Sequence, residues 1–156
     1  TVKPFEEIKV RFNEIINYNS YDGLHDREKL DVTHTEKDMK EYLEKNTHEI
    51  DNFFRLKEVE HKTPVGLIDL YGKIGERYCV VELKAVKAGL PAVLQLKRYR
   101  DHMRERLNQD VEAILMAPSI AKNPMELMKK EKMTYKKFEV KKVKIEKNTE
   151  TLKRWI

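Results

Sequence analysis

The amino-acid sequence predicts a mixed α/β fold, and two observations in the middle of the chain carry this prediction. Residues 65–71 and 78–84 have the composition of strands and are joined by a short connection with two glycines, which predicts an antiparallel hairpin. Residues 92–107 have the apolar spacing of an amphipathic helix and precede a third, apolar strand over residues 111–117. The strands that flank this helix should be parallel, so we predict a mixed central sheet flanked by helices.

The elements before the sheet follow from local patterns. Residues 4–18 carry apolar side chains at helical spacing and predict a helix, and the polar residues 19–33 predict a linking loop. Thr35 precedes Asp38 by three positions, an arrangement typical of a helix start. We therefore predict a second helix over about residues 36–46.

Three further segments complete the predicted fold. Residues 54–60 are predicted to form the first strand. Asn123 as the cap and Pro124 in the first turn predict a short helix that ends near Lys130. Residues 135–145 alternate well enough to predict an edge strand. The expected organisation is an N-terminal helix and loop over residues 1–33, one domain over 34–146 and a basic tail over 147–156.

The composition predicts a single domain without disulfides. The chain has 156 residues, a length at which one hydrophobic core is expected. Its one cysteine, Cys79, excludes an intrachain disulfide and favours a reducing, cytoplasmic compartment. No apolar run approaches the roughly 20 residues that span a bilayer, and the first residues lack the apolar block of a signal peptide. We therefore expect no membrane partner.

The net charge of +5 is unevenly distributed. Residues 129–156 contain 11 Lys and Arg against 4 Glu, whereas residues 1–128 contain 21 basic and 23 acidic residues. A lysine-rich tail is more often a solvated face than a phosphate-binding surface. The charge alone therefore does not predict a nucleic-acid partner.

Two acidic side chains on neighbouring strands form the strongest candidate site. Glu82 and Lys84 project from the same face of their strand because side chains alternate, and Asp69 should approach Glu82 across the hairpin. Two such carboxylates repel by on the order of 4 kcal/mol at an effective dielectric of 20. That repulsion favours a proton or a hard divalent cation, Mg²⁺ or Mn²⁺, between them. The alternative is a structural network of ion pairs on a solvated sheet face.

Lys84 suits three roles beside a metal-bound water. It could orient the water, accept its proton, or neutralise the charge of a phosphoryl group. The residue pattern does not distinguish among these roles.

Five sequence blocks follow one another in a recognisable order: TEKDM at 35–39, TPVGLIDL at 63–70, VVELK at 80–84, AVLQLKRY at 92–99 and APSI at 117–120. Together they resemble the catalytic domain of archaeal NucS/EndoMS endonucleases, members of the PD-(D/E)xK, RecB-like nuclease superfamily. The resemblance implies a restriction-endonuclease-like core. It also implies a Mg²⁺- or Mn²⁺-dependent DNA endonuclease that hydrolyses phosphodiester bonds in branched, flap, single-stranded or mismatched DNA.

The resemblance assigns roles to residues of the candidate site. It implies that Asp69 and Glu82 are metal ligands and that Lys84 is the catalytic lysine. Glu36 would be the acid from the first helix of the domain that completes the site, and Glu49 on the same segment is the competing candidate.

The helix after the Glu-x-Lys motif contributes further candidates. Gln95 and Tyr99 match residues that line the site in the family, and they lie one helical turn apart. The alternative is a packed tyrosine beside a surface glutamine. With DNA as the partner, the lysine-rich tail and the basic residues of this helix become predicted phosphate contacts. Those of the helix are Lys97, Arg98, Arg100 and Arg104.

The resemblance leaves the substrate and the assembly open. Residues 1–33 do not resemble the family's N-terminal DNA-binding and dimerisation domain, and Ala85 stands where the family usually has a basic residue. A homodimer and a separate specificity subunit both stay open. The rival functions are a Holliday-junction resolvase or compact homing or restriction-type nuclease, a non-catalytic DNA-binding module of the same fold, and a protein-interaction domain that uses its N-terminal helix.

Overall fold

The computed structural model describes residues 35–138, which form a five-stranded sheet with helices packed against it. Helix α1 occupies residues 35–45 of this part, and a single 3-10 turn, Thr47–Glu49, follows it. Within the described residues, no helix combines the length and the apolar character needed to cross a membrane. The remaining elements are β1 Phe54–Thr63, β2 Gly66–Ile74, β3 Arg77–Leu83, α2 Leu90–Leu107, β4 Val111–Ala117, α3 Lys122–Lys130 and β5 Thr134–Lys137.

The strand order β1-β2-β3-β4-β5 confirms the predicted mixed sheet. Strand β2 pairs antiparallel with both β1 and β3, whereas β4 pairs parallel with both β3 and β5. Helix α2 connects β3 to β4, because parallel neighbours need a crossover rather than a tight turn. Strand β3 is therefore where the antiparallel half of the sheet meets the parallel half.

The β2–β3 hairpin is longer than predicted. The sequence predicts a six-residue connection over 72–77, but Ile74 pairs with Arg77, so the turn contains only Gly75 and Glu76. Gly75 has a φ of +59°, which glycine adopts without strain. Gly72 lies inside β2. A larger residue does not fit there, because a Cβ would collide with the main chain of Arg55 and the side chain of Phe54 in β1.

Apolar side chains fill both faces of the sheet. On one face, Val80 belongs to a buried cluster with Leu96 of α2 and with residues of α3. On the other face, Val81 and Leu83 are buried together with Leu43 of α1. Burial of such a side chain stabilises the fold by about 1.5–3 kcal/mol each. Strand β3 is therefore covered on both faces. The alternative interpretation of the acidic pair, a network of ion pairs on a solvated sheet face, does not match this burial.

Two helix boundaries differ from the prediction. Helix α2 begins at Leu90 instead of residue 92, and Pro91 fits its first turn because that turn needs no N–H donor there. Helix α3 begins at Lys122 with Ala121 in the cap position, so the prediction that Asn123 caps this helix is wrong. Asn123 lies inside the first turn.

Some predicted segments fall partly or wholly outside residues 35–138. Strand β5 covers the described start of the edge strand predicted over 135–145. The helix predicted over 4–18, the loop over 19–33 and the tail over 147–156 lie outside the described residues. These segments and the domain boundaries drawn from them stay predictions.

Candidate active site

Asp69 and Glu82 lie on adjacent strands, as the alternation predicts. The antiparallel pairing of β2 and β3 runs as far as Leu70 opposite Val81, and one further step brings Asp69 to Glu82. Beyond this pair, the N–H of Leu83 donates to a side chain, Asp69 Oδ2, over 2.9 Å, where a regular ladder would offer it a main-chain carbonyl. The two carboxylates therefore meet at the end of the antiparallel ladder.

Glu82 is a carboxyl group almost withdrawn from water. It is 2% exposed, and Lys84 Nζ lies 2.9 Å from its Oε1. Its other oxygen, Oε2, is buried and has no hydrogen-bond donor among the residues that the structure describes. Burial, and then the negative charge of Asp69, raise the pKa of Glu82 to about 7 even though Lys84 opposes the shift. An unmatched acceptor in this position can take either a proton or a cation.

Lys84 contacts Glu82 from the chain just beyond β3. Its main-chain N–H donates to the carbonyl of Met116 in β4, which fixes the backbone at the motif. Burial acts to lower the pKa of Lys84, but Glu82, Glu36 and Asp69 together raise it above its ordinary value. The side chain is therefore an ammonium at neutral pH.

Glu36, and not Glu49, reaches this site. Glu36 Oε1 accepts a hydrogen bond of 3.4 Å from the N–H of Ala85, and its charge acts on both Glu82 and Lys84. Glu49 lies in the 3-10 turn, where its Oε1 is 3.4 Å from the hydroxyl of Tyr42. The structure thus separates the two acids that the sequence leaves as competitors.

Gln95 and Tyr99 form a pair on α2. Gln95 Nε2 donates to the Tyr99 hydroxyl over 2.5 Å, and Tyr99 is 2% exposed. The hydroxyl lies against Gly66, where a Cβ would come within 2.8 Å of it and where φ is +134°. Only glycine suits that position. The pair holds α2 against the start of β2, and within the described residues its hydrogen bond is internal and does not extend to Lys84.

Lys40 is the residue that sequence reasoning missed. Its Nζ lies 3.0 Å from Asp69 Oδ1 and 3.0 Å from Glu60 Oε1, so it bridges α1, β1 and β2. Burial lowers the pKa of Lys40, but the two carboxylates raise it above its ordinary value. The one available signal is spacing, because Lys40 follows Glu36 by four residues and so lies on the same side of α1.

The predicted phosphate contacts of α2 do not share one environment. Arg98 is exposed and has no ion-pair partner within residues 35–138. Lys97 Nζ lies 2.5 Å from Asp101 Oδ2, and Arg104 Nη2 lies 2.6 Å from Asp110 Oδ1. Arg98 is therefore the most available of these cations.

Arg100 is buried, and not exposed as the sequence predicts. It is 2% exposed, and its guanidinium donates to the carbonyl and the carboxylate of Glu131, over 2.5 and 2.7 Å, and to Asp101 over 2.8 Å. The prediction of an exposed phosphate contact is wrong, because helical spacing cannot show that the end of α3 covers this side of α2. Arg100 fastens the two helices together.

The donor set fits a hard divalent cation held by few protein ligands. No group of three or more His, Cys, Asp or Glu side chains in residues 35–138 is arranged to hold a metal. Mg²⁺ is commonly bound by one or two carboxylates, with waters and substrate phosphates completing its shell. Asp69 and Glu82 would supply that pair, and the buried Oε2 of Glu82, which has no donor among the described residues, would be one of the oxygens that hold the ion.

Comparison with known proteins identifies the family. The family model of the endonuclease NucS C-terminal domain matches residues 35–155. The chain belongs to this NucS family. An endonuclease NucS of Methanocaldococcus jannaschii is 32% identical over 138 residues, covering 87% of this chain and 52% of the relative. That of Pyrococcus horikoshii is 34% identical over 142 residues, covering 88% and 54%. The chain thus spans about half the length of these NucS relatives.

Solved structures agree with the NucS assignment. A complex of EndoMS with dsDNA is similar with a TM-score of 0.64 and 32% identity, over 67% of this chain and 44% of that one. The crystal structure of a repair endonuclease from Pyrococcus abyssi is similar with a TM-score of 0.64 and 33% identity, over 67% and 46%. These neighbours confirm the predicted restriction-endonuclease-like core and the predicted resemblance to NucS/EndoMS.

Proposed function

We propose that this chain is a metal-dependent DNA endonuclease domain that hydrolyses phosphodiester bonds. The observation that carries the proposal is the meeting of Asp69 and Lys84 at the buried carboxyl group of Glu82, at the end of the β2–β3 ladder. Membership of the NucS family supports the same activity, and an EndoMS neighbour is described as a complex with dsDNA. Branched, flap, single-stranded or mismatched DNA is the proposed class of substrate.

Asp69 and Glu82 would hold Mg²⁺ or Mn²⁺ through their carboxylate oxygens. When bound there, the ion would acidify a coordinated water and offset negative charge on the phosphate. Glu36 adds a third negative charge on the α1 side of the same site. Its position beside the N–H of Ala85 suits a group that orients a ligand or a water, and we propose that role.

Lys84 would act through its positive charge. A group that already carries its proton at neutral pH is a poor proton acceptor, whereas an ammonium next to the carboxylates can orient a water and stabilise charge that develops on the phosphate. Of the three roles that the sequence leaves open, the raised pKa favours these two.

Contacts with the rest of the DNA would come from the exposed part of α2. Gln95 and Tyr99 would fix the distance between this helix and the start of β2. Arg98 would then contact a phosphate beside the scissile bond. Lys97 and Arg104 would add contacts if each binds a phosphate while it stays close to its acidic partner, Asp101 or Asp110.

Nuclease assays with substituted proteins test this proposal. Asp69→Asn retains an oxygen for the Leu83 N–H but removes the charge, and Lys84→Ala removes the ammonium. We expect each to lower the Mg²⁺-dependent cleavage rate by at least about 100-fold, a typical loss for a group that acts in the transition state. The matched control is Lys122→Ala, an exposed lysine at the start of α3, which should cleave at the wild-type rate.

The substrate panel separates the rival functions. Flap, single-stranded, mismatched, plain duplex and four-way-junction DNA should be compared at one salt concentration, because the affinity for DNA depends on salt. Preference for the junction would point to a resolvase. DNA binding without cleavage on any substrate would point to the non-catalytic module and would contradict the proposal.

A further inference from the structure

The ammonium of Lys40 lies between two carboxylates of different character. Asp69 is a proposed metal ligand, whereas Glu60 is 57% exposed at its side chain and lies on β1. Lys40 Nζ is 3.0 Å from an oxygen of each, and its own side chain is only 16% exposed. A lysine shared in this way can lose one partner without becoming an unpaired, buried charge.

Both oxygens of Asp69 are engaged by protein groups. The N–H of Leu83 donates to Oδ2, and Lys40 lies against Oδ1. The main-chain donor belongs to β3 and cannot leave without disturbing the sheet. The lysine lies at the end of a flexible side chain. A divalent cation that binds through Oδ1 therefore competes with Lys40 and leaves the contact with Leu83 intact.

We propose that Lys40 is a positioning residue that exchanges with the metal ion at Asp69. In this exchange the cation takes Oδ1, and the ammonium of Lys40 gives up Asp69 and keeps its contact with Glu60. The role presupposes the metal-dependent activity proposed above. It makes metal affinity depend on Lys40 and Glu60 as well as on the two ligands, although neither Lys40 nor Glu60 would touch the ion.

The exchange has a distinctive electrostatic signature. Removing Lys40 removes a competing positive charge, which should tighten metal binding. Removing the charge of Glu60 removes the partner that Lys40 keeps when the ion binds, which should weaken metal binding. Plain Coulomb attraction would also make Glu60→Gln weaken binding, but by the same factor whether Lys40 is present or not. A double-mutant cycle therefore separates the two explanations.

Titration of Mn²⁺ into the full chain by calorimetry provides the measurement. We expect Lys40→Met to bind Mn²⁺ on the order of tenfold more tightly than the wild type, and Glu60→Gln to bind severalfold more weakly. In the double variant, Glu60→Gln should change the affinity of Lys40→Met by less than about twofold. The matched control is Lys37→Met, the same change at an exposed lysine of α1, which should leave the affinity as it is.

The possible results are distinguishable. Unchanged or weaker Mn²⁺ binding by a folded Lys40→Met, as judged by circular dichroism, would overturn the exchange. So would an equal effect of Glu60→Gln in both backgrounds. Where Lys40→Met folds poorly, the single variant Glu60→Gln still tests the exchange, because Glu60 is exposed and an unchanged Mn²⁺ affinity would overturn it. In each case a wild type that binds Mn²⁺ leaves the proposed nuclease standing. A wild type that binds no Mn²⁺ would overturn the metal site and the exchange together.

Discussion

At the scale of single residues, Glu82 shows how burial and charge prepare a side chain for a ligand. The carboxyl group is almost inaccessible to water, only one of its oxygens has a partner in the described chain, and Asp69 repels its ionised form. Burial, and then the charge of Asp69, stabilise the protonated acid and raise its pKa to about 7 although Lys84 opposes the shift. The group therefore changes charge near neutral pH, and a cation becomes a better partner for it as the pH rises.

The stability of the fold should depend on pH through Glu82. Its pKa of about 7 in the folded chain lies above the ordinary value of 4.5, so the folded state holds the proton more tightly than the unfolded state does. The resulting stabilisation is complete below about pH 4.5 and is lost as the pH rises through about 7. Its full size is on the order of 3 kcal/mol, since each pKa unit is worth about 1.4 kcal/mol.

Glu82→Gln provides the measurement. With EDTA present, the free energy of unfolding of this variant should fall less than that of the wild type between pH 5 and pH 8 in urea titrations. Glu112→Gln, a partly exposed glutamate of β4 paired with Arg77, is the control and should follow the wild-type profile. Parallel pH profiles for the wild type and Glu82→Gln would mean that Glu82 titrates normally.

At the scale of elements, helix α2 combines a buried structural face with an exposed face that we propose to bind DNA. Arg100 is buried and fastens α2 to the end of α3 through Glu131, whereas Arg98, two positions earlier, is exposed. Two arginines of the same helix thus serve different purposes. The distinction depends on the neighbouring helix and not on the sequence of α2.

Substitution of these two arginines should give opposite results. Arg100→Met should lower the free energy of unfolding by on the order of 2 kcal/mol, because it removes the hydrogen bonds through which a buried guanidinium joins α2 to the end of α3. It should leave the salt dependence of DNA binding unchanged. Arg98→Ala should leave stability unchanged and reduce the log–log salt slope by about 0.9 on duplex DNA. Urea unfolding measures the stability, and DNA-binding titrations at several salt concentrations measure the slope. A reduced salt slope for Arg100→Met would mean that Arg100 contacts DNA after all.

At the scale of the whole molecule, the candidate site is built from a short part of the chain. Its named residues fall between Glu36 and Tyr99, and the family match begins at residue 35. The relatives that it matches are about twice as long. We therefore expect that the proposed metal site and the choice of DNA substrate can be tested in separate experiments.

Deletion of residues 1–33 should leave the affinity for Mn²⁺ within about twofold of the full chain, because no ligand of the proposed site lies there. The calorimetric titration used for Lys40 measures this directly. DNA affinity should be measured on the same proteins, and a loss confined to DNA would assign residues 1–33 to substrate binding. A loss of Mn²⁺ affinity in a folded deletion variant would show that the site is not self-contained.

Local patterns predicted the sheet and the acidic pair because both depend on short-range geometry. A hairpin and a strand–helix–strand unit fix the neighbours of β3, and alternation then brings Asp69 and Glu82 together. Lys40 and Arg100 were beyond such reasoning. The contacts of Lys40 depend on where α1 crosses β1 and β2, and those of Arg100 depend on where α3 ends, which are tertiary relations that no periodicity encodes.

The hydrogen bond from the Leu83 N–H to Asp69 has a consequence for evolution. Where the main-chain ladder ends, the carboxylate of Asp69 accepts a hydrogen bond that a strand carbonyl would otherwise accept, so the proposed chemistry and the fold both depend on one side chain. A related gene released from selection for cleavage would still be constrained there. We expect inactive descendants to keep an acceptor at this position, with Asn replacing Asp more readily than Ala or Val. A retained Asp69 is therefore weak evidence of activity in any relative.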